Sequence, residues 1–448
     1  MSETAPGLLD RLFGAPASEA IFADRARLQG MLDFEAALAR AEAKVGVVPS
    51  TAVSHIVDKA RAELFDAEEL ARGAVLAGNL AIPMVKRLTA LVAAADDEAA
   101  RFVHWGATSQ DAIDTGLVLQ LRAYLDWLQP ELDRLSAHLA GLVKRHRATP
   151  MVARTWLQQA LPTTFGLKAA GWLDAVDRAR ARTAEARPRM LALQFGGAAG
   201  TLAALGTRGL DVAAALAADL GLALPALPWH GARDRVAEMA TLLGLLAGTL
   251  GKIARDVSLC MQTEVAELYE PAGEGRGGSS TMPHKRNPIA AATVLAAAVQ
   301  APQLVATCLG AMVQEHERAV GAWQAEWVAL PELCRLAGGA LRHTSELIAG
   351  LEVDPARMRA NLDATRGLIM AEAVQMALGE KLGRLKAHDL VEAACKRAVR
   401  EGRHLRDVLA EDPVVRGELD QAALARLFEP TAYLGVADAL IDRVLTGR

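Results

Sequence analysis

Aromatic side chains are scarce in this chain: Phe, Tyr and Trp together make up 4% of its 448 residues. The apolar share is still 52%, and Ala and Leu supply the bulk of it. Strands favour β-branched and aromatic residues, whereas Ala and Leu are strong helix formers, so a sheet-built core is disfavoured and closely packed helices are expected. Cysteine is also rare. Cys260, Cys308, Cys334 and Cys395 lie far apart with no Cys-x-x-Cys or His-Cys spacing, which suggests neither a disulfide framework nor zinc but buried thiols in a reducing compartment. Net charge is only −4 and no long basic run occurs, so nothing points to nucleic acid or an anionic membrane. The start, Met1-Ser2-Glu3-Thr4-Ala5-Pro6, lacks the basic and apolar regions of a signal peptide, and a cytoplasmic location is expected. Ile289 to Val313 is apolar enough to raise a membrane span, but Gln300, Pro302 and Gln303 in its middle predict instead a helix enclosed by other helices.

The length suggests about three domains. We place an N-terminal helical domain at 1–110, a central long-helix domain at 111–350 and a C-terminal helical domain at 351–448. Apolar periodicity predicts an amphipathic helix over Arg25–Val45 and long helices over Ile113–His146, Leu167–Arg182, Val236–Leu268 and Ile289–Glu315. The fold class is therefore all-α.

Between the last two long helices stands Gly277-Gly278-Ser279-Ser280-Thr281-Met282-Pro283-His284-Lys285-Arg286-Asn287-Pro288. Asn287 is a good N-cap and Pro288 suits the first helical position, so a helix starts there. Its unpaired N–H groups, beside Lys285 and Arg286, would suit a carboxylate or phosphate. Gly273-x-Gly275-x-x-Gly278 fits a dinucleotide fingerprint letter for letter but follows a helix rather than a strand; no cofactor and no metal are expected. Two further clusters carry polar chemistry. His104-Trp105-Gly106-Ala107-Thr108-Ser109-Gln110-Asp111 has Thr108 and Asp111 at capping-box spacing, a helix start on structure alone. Arg154-Thr155-Trp156-Leu157-Gln158-Gln159 reads as part of a turn leading into the helix from Leu167.

The order Ser-Ser-x-Met-Pro-x-Lys-x-Asn-Pro, together with His-x-Gly-x-Thr-Ser-x-Asp at 104–111 and Gln158-x-Ala160-x-Pro162-x-Thr164-x-Gly166, resembles the signatures of the fumarase/aspartase superfamily. The resemblance extends over essentially the whole chain. It implies a homotetramer with a twenty-helix core, in which each site is built from three subunits. It also implies a reaction at the carbon β to a carboxylate, with a proton moving at the α-carbon. The intermediate is an aci-carboxylate dianion, which needs fixed donors and cations aimed at its oxygens. By the same resemblance Ser279 moves the proton, with Lys285, Asn287 and the helix start stabilising the dianion. His104, Thr108, Ser109, Gln110, Arg154, Thr155, Trp156 and Gln158 bind substrate.

One position departs from the pattern. Trp156 stands where amine-expelling members of the superfamily carry an acid/base histidine. A carboxylate, with a reference pKa of about 4.3, attacks or leaves without needing a proton. The departure therefore implies intramolecular addition of a carboxylate across a conjugated double bond in a small tricarboxylate. Trp323, Gln324 and Trp327, where adenylosuccinate lyases offer phosphate-binding residues, speak against a nucleotide. The rival readings are an amine-expelling lyase and a helical scaffold without catalysis.

Overall fold

The computed structural model describes residues 9–447 except 274, 276, 279, 280 and 283. In chain order the elements that matter here are α1 (Asp24–Val45), α2 (Ser109–Arg145), a hairpin of β1 (Pro150–Thr155) and β2 (Gln158–Thr164), α3 (Phe165–Met190), α4 (Gly209–Leu220), α5 (Asp234–Cys260), β3 (Leu268–Tyr269), α6 (Ile289–Gly310), α7 (Ala322–Ala349) and β4 (Glu352–Val353). At 1.5 Å per residue, the 37 residues of α2 extend about 55 Å. The fold is all-α, as expected; among the described residues the strands form two short antiparallel ribbons, β1–β2 and β3–β4.

The chain divides into two compact units. One comprises Met1–Asp133, Arg178–Gly251 and Thr293–His343, the other Arg134–Asp177, Lys252–Ala292 and Thr344–Arg448. In the first, Leu28, Leu32 and Phe34 of α1, Leu121, Leu125 and Leu128 of α2, Leu243 and Leu246 of α5 and Leu330 and Leu333 of α7 are buried. Each such side chain contributes roughly 1.5–3 kcal/mol. Helix α1 ends where Gly46 takes a left-handed φ of 78° and its N–H and that of Val47 bond back to the carbonyls of Ala43 and Glu42. At Gly30 a Cβ would lie 2.8 Å from the carbonyl oxygen of Gly116, so α1 and α2 approach too closely there for any side chain. The second unit has one core around Val374, Leu378, Val391 and Leu405, and another in which Val152 of the hairpin meets Leu362, Ile369 and Met370.

Two expectations are corrected. The segment after Arg154 is not a simple turn: it is the far arm of an antiparallel hairpin in which Thr155 faces Gln158 and Pro150 faces Thr164. The threonines and Val152 suit a strand, and Pro162 is tolerated opposite Val152 because the register shifts between Val152 and Arg154. The helix expected over Val236–Leu268 stops at Cys260. Beyond it, Ala266 adopts a φ of 51° and Glu267 turns inward to meet Arg154. Helix α6 leaves Val299 73% and Leu309 44% exposed in the single chain.

Candidate active site

The N-terminus of α2 gathers polar groups of the first unit. Its third residue, Asp111, is fully buried and accepts five hydrogen bonds. Gln194 Nε2, Gly196 N–H and His230 Nε2 meet one oxygen at 2.9–3.0 Å, and the N–H groups of Thr108 and Gly197 meet the other at 2.9–3.0 Å. This is half of the expected capping box, with the Asp111 carboxylate reaching back to Thr108. The Thr108 hydroxyl instead faces Arg318, whose guanidinium donates to Thr108 Oγ1 at 2.8 Å, Ser109 Oγ at 3.2 Å and Gln110 Oε1 at 3.3 Å. Three residues expected from sequence to bind substrate thus converge on one cation. Gln110 is fully buried, and its amide donates to Asp114 and to the carbonyl of His230, so it orients its neighbours from inside.

Beneath lies a buried ionic cluster. Arg233 is bonded by Asp114 at 2.7 and 3.0 Å and by Glu326, with the face of Trp229 4.9 Å away and Trp323 Nε1 donating to Asp114. Burial alone would weaken the Arg233 charge, but the Asp114 and Glu326 carboxylates outweigh it and keep the guanidinium protonated. Removing one partner of such a cluster leaves an uncompensated buried charge. His104 has a φ of 58° and its Nδ1 lies 2.6 Å from Glu35 Oε1. Burial pulls this imidazole's pKa down, and the Glu35 carboxylate more than reverses the effect, so the pKa is raised overall.

In the second unit the hairpin tip is a two-residue turn, Trp156-Leu157, with φ values of 52° and 65°. Positive φ at both central residues marks the turn type that favours Asn-Gly, and each bulky residue held there costs roughly 1–3 kcal/mol. Trp156 is 95% and Leu157 83% exposed. Thr155 and Gln158, at the base of the turn, are exposed as well. Arg154 faces the other way: its terminal nitrogens donate to both oxygens of the buried Glu267 at 2.8 Å, and Asn361 Nδ2 reaches the same carboxylate at 2.7 Å. Arg154 therefore anchors the stem of the hairpin.

The segment bearing Lys285 and Asn287 closes on itself where Asn287 N–H donates to the carbonyl of Gly277 at 2.9 Å. Gly277 has a φ of 66°, and a Cβ there would come within 2.9 Å of the Asn287 carbonyl oxygen. Helix α6 begins at Ile289, and its expected anion site is already filled. Buried Glu270 accepts the N–H of Ala290 at 3.0 Å and of Ala291 at 2.7 Å, so a carboxylate of the chain itself caps the helix. Arg286 forms a two-pronged pair with Glu352 at 2.8 and 2.9 Å. Lys285 is exposed and its ammonium pairs with no described residue. Ser279 lies outside the described residues.

Arg318, Glu35, Glu267 and Glu270, which organise these groups, were not singled out by the sequence, and Asp111 only as a capping-box partner. The signal for Glu35 was an acid inside the apolar stripe of α1, and for Glu270 an acid directly before Pro271. Arg318 carried no pattern of its own.

Residues 13–302 match the family described as Lyase, and residues 367–444 match the adenylosuccinate lyase C-terminus. The chain belongs to the lyase family of the fumarase/aspartase superfamily. Within that family it is 59% identical, over 98% of its length and 95% of the relative's, to the 3-carboxy-cis,cis-muconate cycloisomerase of Pseudomonas aeruginosa. It is 58% identical, over 99% of both chains, to the 3-carboxy-cis,cis-muconate cycloisomerase of Bradyrhizobium diazoefficiens. The crystal structure of 3-carboxy-cis,cis-muconate lactonizing enzyme from Pseudomonas putida matches it with a TM-score of 0.94 at 53% identity, covering 98% of each chain.

Proposed function

We propose that this chain is an enzyme that converts 3-carboxy-cis,cis-muconate to 4-carboxymuconolactone, a step of the protocatechuate branch of the β-ketoadipate pathway. The observation that carries the reading is Trp156, an indole on a strained hairpin tip where amine-expelling relatives place a histidine. In the reaction, an oxygen of one terminal carboxylate bonds to the carbon bearing the 3-carboxyl group. The π electrons of that double bond move to the neighbouring α-carbon and spread into its carboxylate, and the α-carbon then takes a proton. Nothing leaves and no redox change occurs, so no acid for a leaving group is needed.

The substrate carries three carboxylates, which the cationic groups match. Arg318 with Thr108 and Ser109 supports a role in holding one carboxylate, with His104 as a further donor. Lys285, whose ammonium pairs with no described residue, suits the carboxylate that becomes the dianion, with Asn287 alongside. Ser279 is assigned the proton transfer by its place in the signature. Thr155, Trp156 and Gln158 contribute the exposed hairpin tip, and Arg154 and Gln110 hold their neighbours in position.

A homotetramer with each site drawn from three subunits is part of the proposal. The exposed Val299 and Leu309 on α6, whose mean hydropathy is 1.7 over its most apolar stretch, supply apolar surface for such an assembly. Both helices apolar enough to cross a membrane, α5 and α6, are read as bundle helices of a soluble, cytoplasmic enzyme; most of the apolar stretch of α5 is buried. Loss of muconate ultraviolet absorbance with purified protein, beside an adenylosuccinate control and light scattering for subunit number, tests the reading. Turnover of the muconate alone by a tetramer is expected, and cleavage of adenylosuccinate would overturn it.

A further inference from the structure

Glu35 is an anomaly of α1. It lies fully buried beside Leu28, Met31, Leu32, Phe34 and Leu38 of the same helix. One of its oxygens meets His104 Nδ1 at 2.6 Å, and the other is buried without a partner among the described residues. A carboxylate in such a place is costly unless it faces a cation. His104 is the group it faces, 17% exposed and in the left-handed region that few non-glycine residues enter. The Nε2 of that ring has no partner among the described residues.

We propose that Glu35 is a positioning residue for the reaction: it anchors the Nδ1–H of His104 and turns the ring into a fixed cationic donor, through Nε2, for a substrate carboxylate. This rests on the reading that the chain binds a tricarboxylate beside His104. A neutral imidazole with Nδ1–H on Glu35 would present a lone pair at Nε2 and repel a carboxylate; only the doubly protonated ring donates from both nitrogens. Asp111 of α2 adds to the field favouring the imidazolium, while itself satisfied by Gln194, His230 and three backbone N–H groups. Arg318 keeps its charge, since its partners Thr108, Ser109 and Gln110 are neutral, and so disfavours the imidazolium, yet Glu35 and Asp111 still hold the His104 pKa up. The buried side chains of α4 and of the helix Ser50–Lys59, which pack on α1, are Val212, Ala213, Leu216, Ala217, Leu220, Ala52 and Ile56, all apolar. On α1 itself, two turns beyond Glu35, the fully buried Glu42 has neither oxygen hydrogen-bonded, and burial holds it neutral at pH 7. It therefore supplies no competing negative charge.

The test uses the full-length enzyme and two readouts. Carbethoxylation of His104 by diethyl pyrocarbonate, followed by peptide mass spectrometry across pH, reports the neutral ring without any turnover. The pH profile of kcat/KM on 3-carboxy-cis,cis-muconate reports its catalytic use. Wild-type His104 should resist modification to a pH above the ordinary histidine range. In Glu35→Gln, modification should begin at lower pH, the basic limb of kcat/KM should move down with it, and activity at pH 8 should fall roughly ten- to a hundredfold, the size expected for losing a charge-assisted contact. Glu35→Asp, which keeps the charge but withdraws it, should lie between the two and serves if the glutamine variant does not fold. Glu42→Gln should leave both profiles in place. Glu35 variants with unmoved profiles would overturn the proposal. A wild-type enzyme that does not consume the muconate would instead overturn the assigned reaction, and the carbethoxylation profile alone would then decide whether Glu35 sets the charge of the ring.

Discussion

Arg318 Nη1 donates to the hydroxyl of Thr108 at 2.8 Å, a contact between residues 210 positions apart in the chain. The same guanidinium reaches Ser109 and Gln110, so one planar fork orients three side chains at the start of α2. A lysine would place a single ammonium there and could not reproduce that geometry. Arg318→Lys and Arg318→Ala are both expected to lower kcat/KM, the alanine variant by about 1.5–3 kcal/mol, with a raised KM in each. Steady-state kinetics beside circular dichroism checks this; a lysine variant equal to wild type would show that only the charge matters.

The hairpin tip sets stability against function. An Asn-Gly pair is the sequence this turn prefers over Trp156-Leu157, so the double substitution Trp156→Asn with Leu157→Gly should relieve about 1–3 kcal/mol of strain per residue and raise the thermal midpoint. Turnover should fall, because the indole is lost. Among single changes, Trp156→Phe should keep more lactonization than Trp156→His, which adds an acid the reaction does not use. Calorimetry and absorbance assays on the three variants test this; a histidine variant faster than wild type would contradict it.

Ser279 enters the account through its place in the signature. Ser279→Ala should abolish most turnover while leaving subunit assembly and the thermal transition nearly unchanged, since a single hydroxyl contributes little packing. Near-wild-type activity in this variant would remove Ser279 from the proton transfer.

Burial pushes the Glu42 carboxyl up to about 9, against 4.5 for a free side chain, and the nearby Glu35 adds to the shift. The folded protein therefore holds this proton across a range in which the unfolded chain has released it. Stability from this group is present below about pH 4.5 and is lost as pH rises toward 9, by on the order of 1.4 kcal/mol per pH unit. Glu42→Gln, which cannot ionise, should remove that slope, so its advantage over wild type should grow from pH 5 to pH 8. Thermal midpoints at several pH values measure it, and a constant difference would show that Glu42 does not titrate this way.

The long helices were legible because Leu and Ala repeat at helical spacing through Asp24–Val45 and Ser109–Arg145, and their observed ends fall within a few residues of the pattern. The hairpin was not legible. Its strands are short and carry a bulge, and its turn has neither Asn nor Gly to announce it. The helix start at Ile289 was legible within two residues, but its cap was not, because Glu270 reaches it from 20 positions upstream and no local pattern encodes that. The pairings Arg154–Glu267 and His104–Glu35 escaped for the same reason: a carboxylate's partner is fixed by tertiary contact, and sequence shows only that an acid sits in an apolar run. The motifs at 104–111 and 277–288 pointed to the lyase family, to which the chain belongs, because their residue types and order are specific.

Lactonization with protonation at the α-carbon is tested most directly by proton NMR of the product formed by the wild-type enzyme from 3-carboxy-cis,cis-muconate in D2O. The expected result is a single product, 4-carboxymuconolactone, with one solvent-derived deuterium at the carbon next to the acetate carboxylate and no reaction with adenylosuccinate under the same conditions. An unchanged muconate spectrum, or fumarate released from adenylosuccinate, would contradict it.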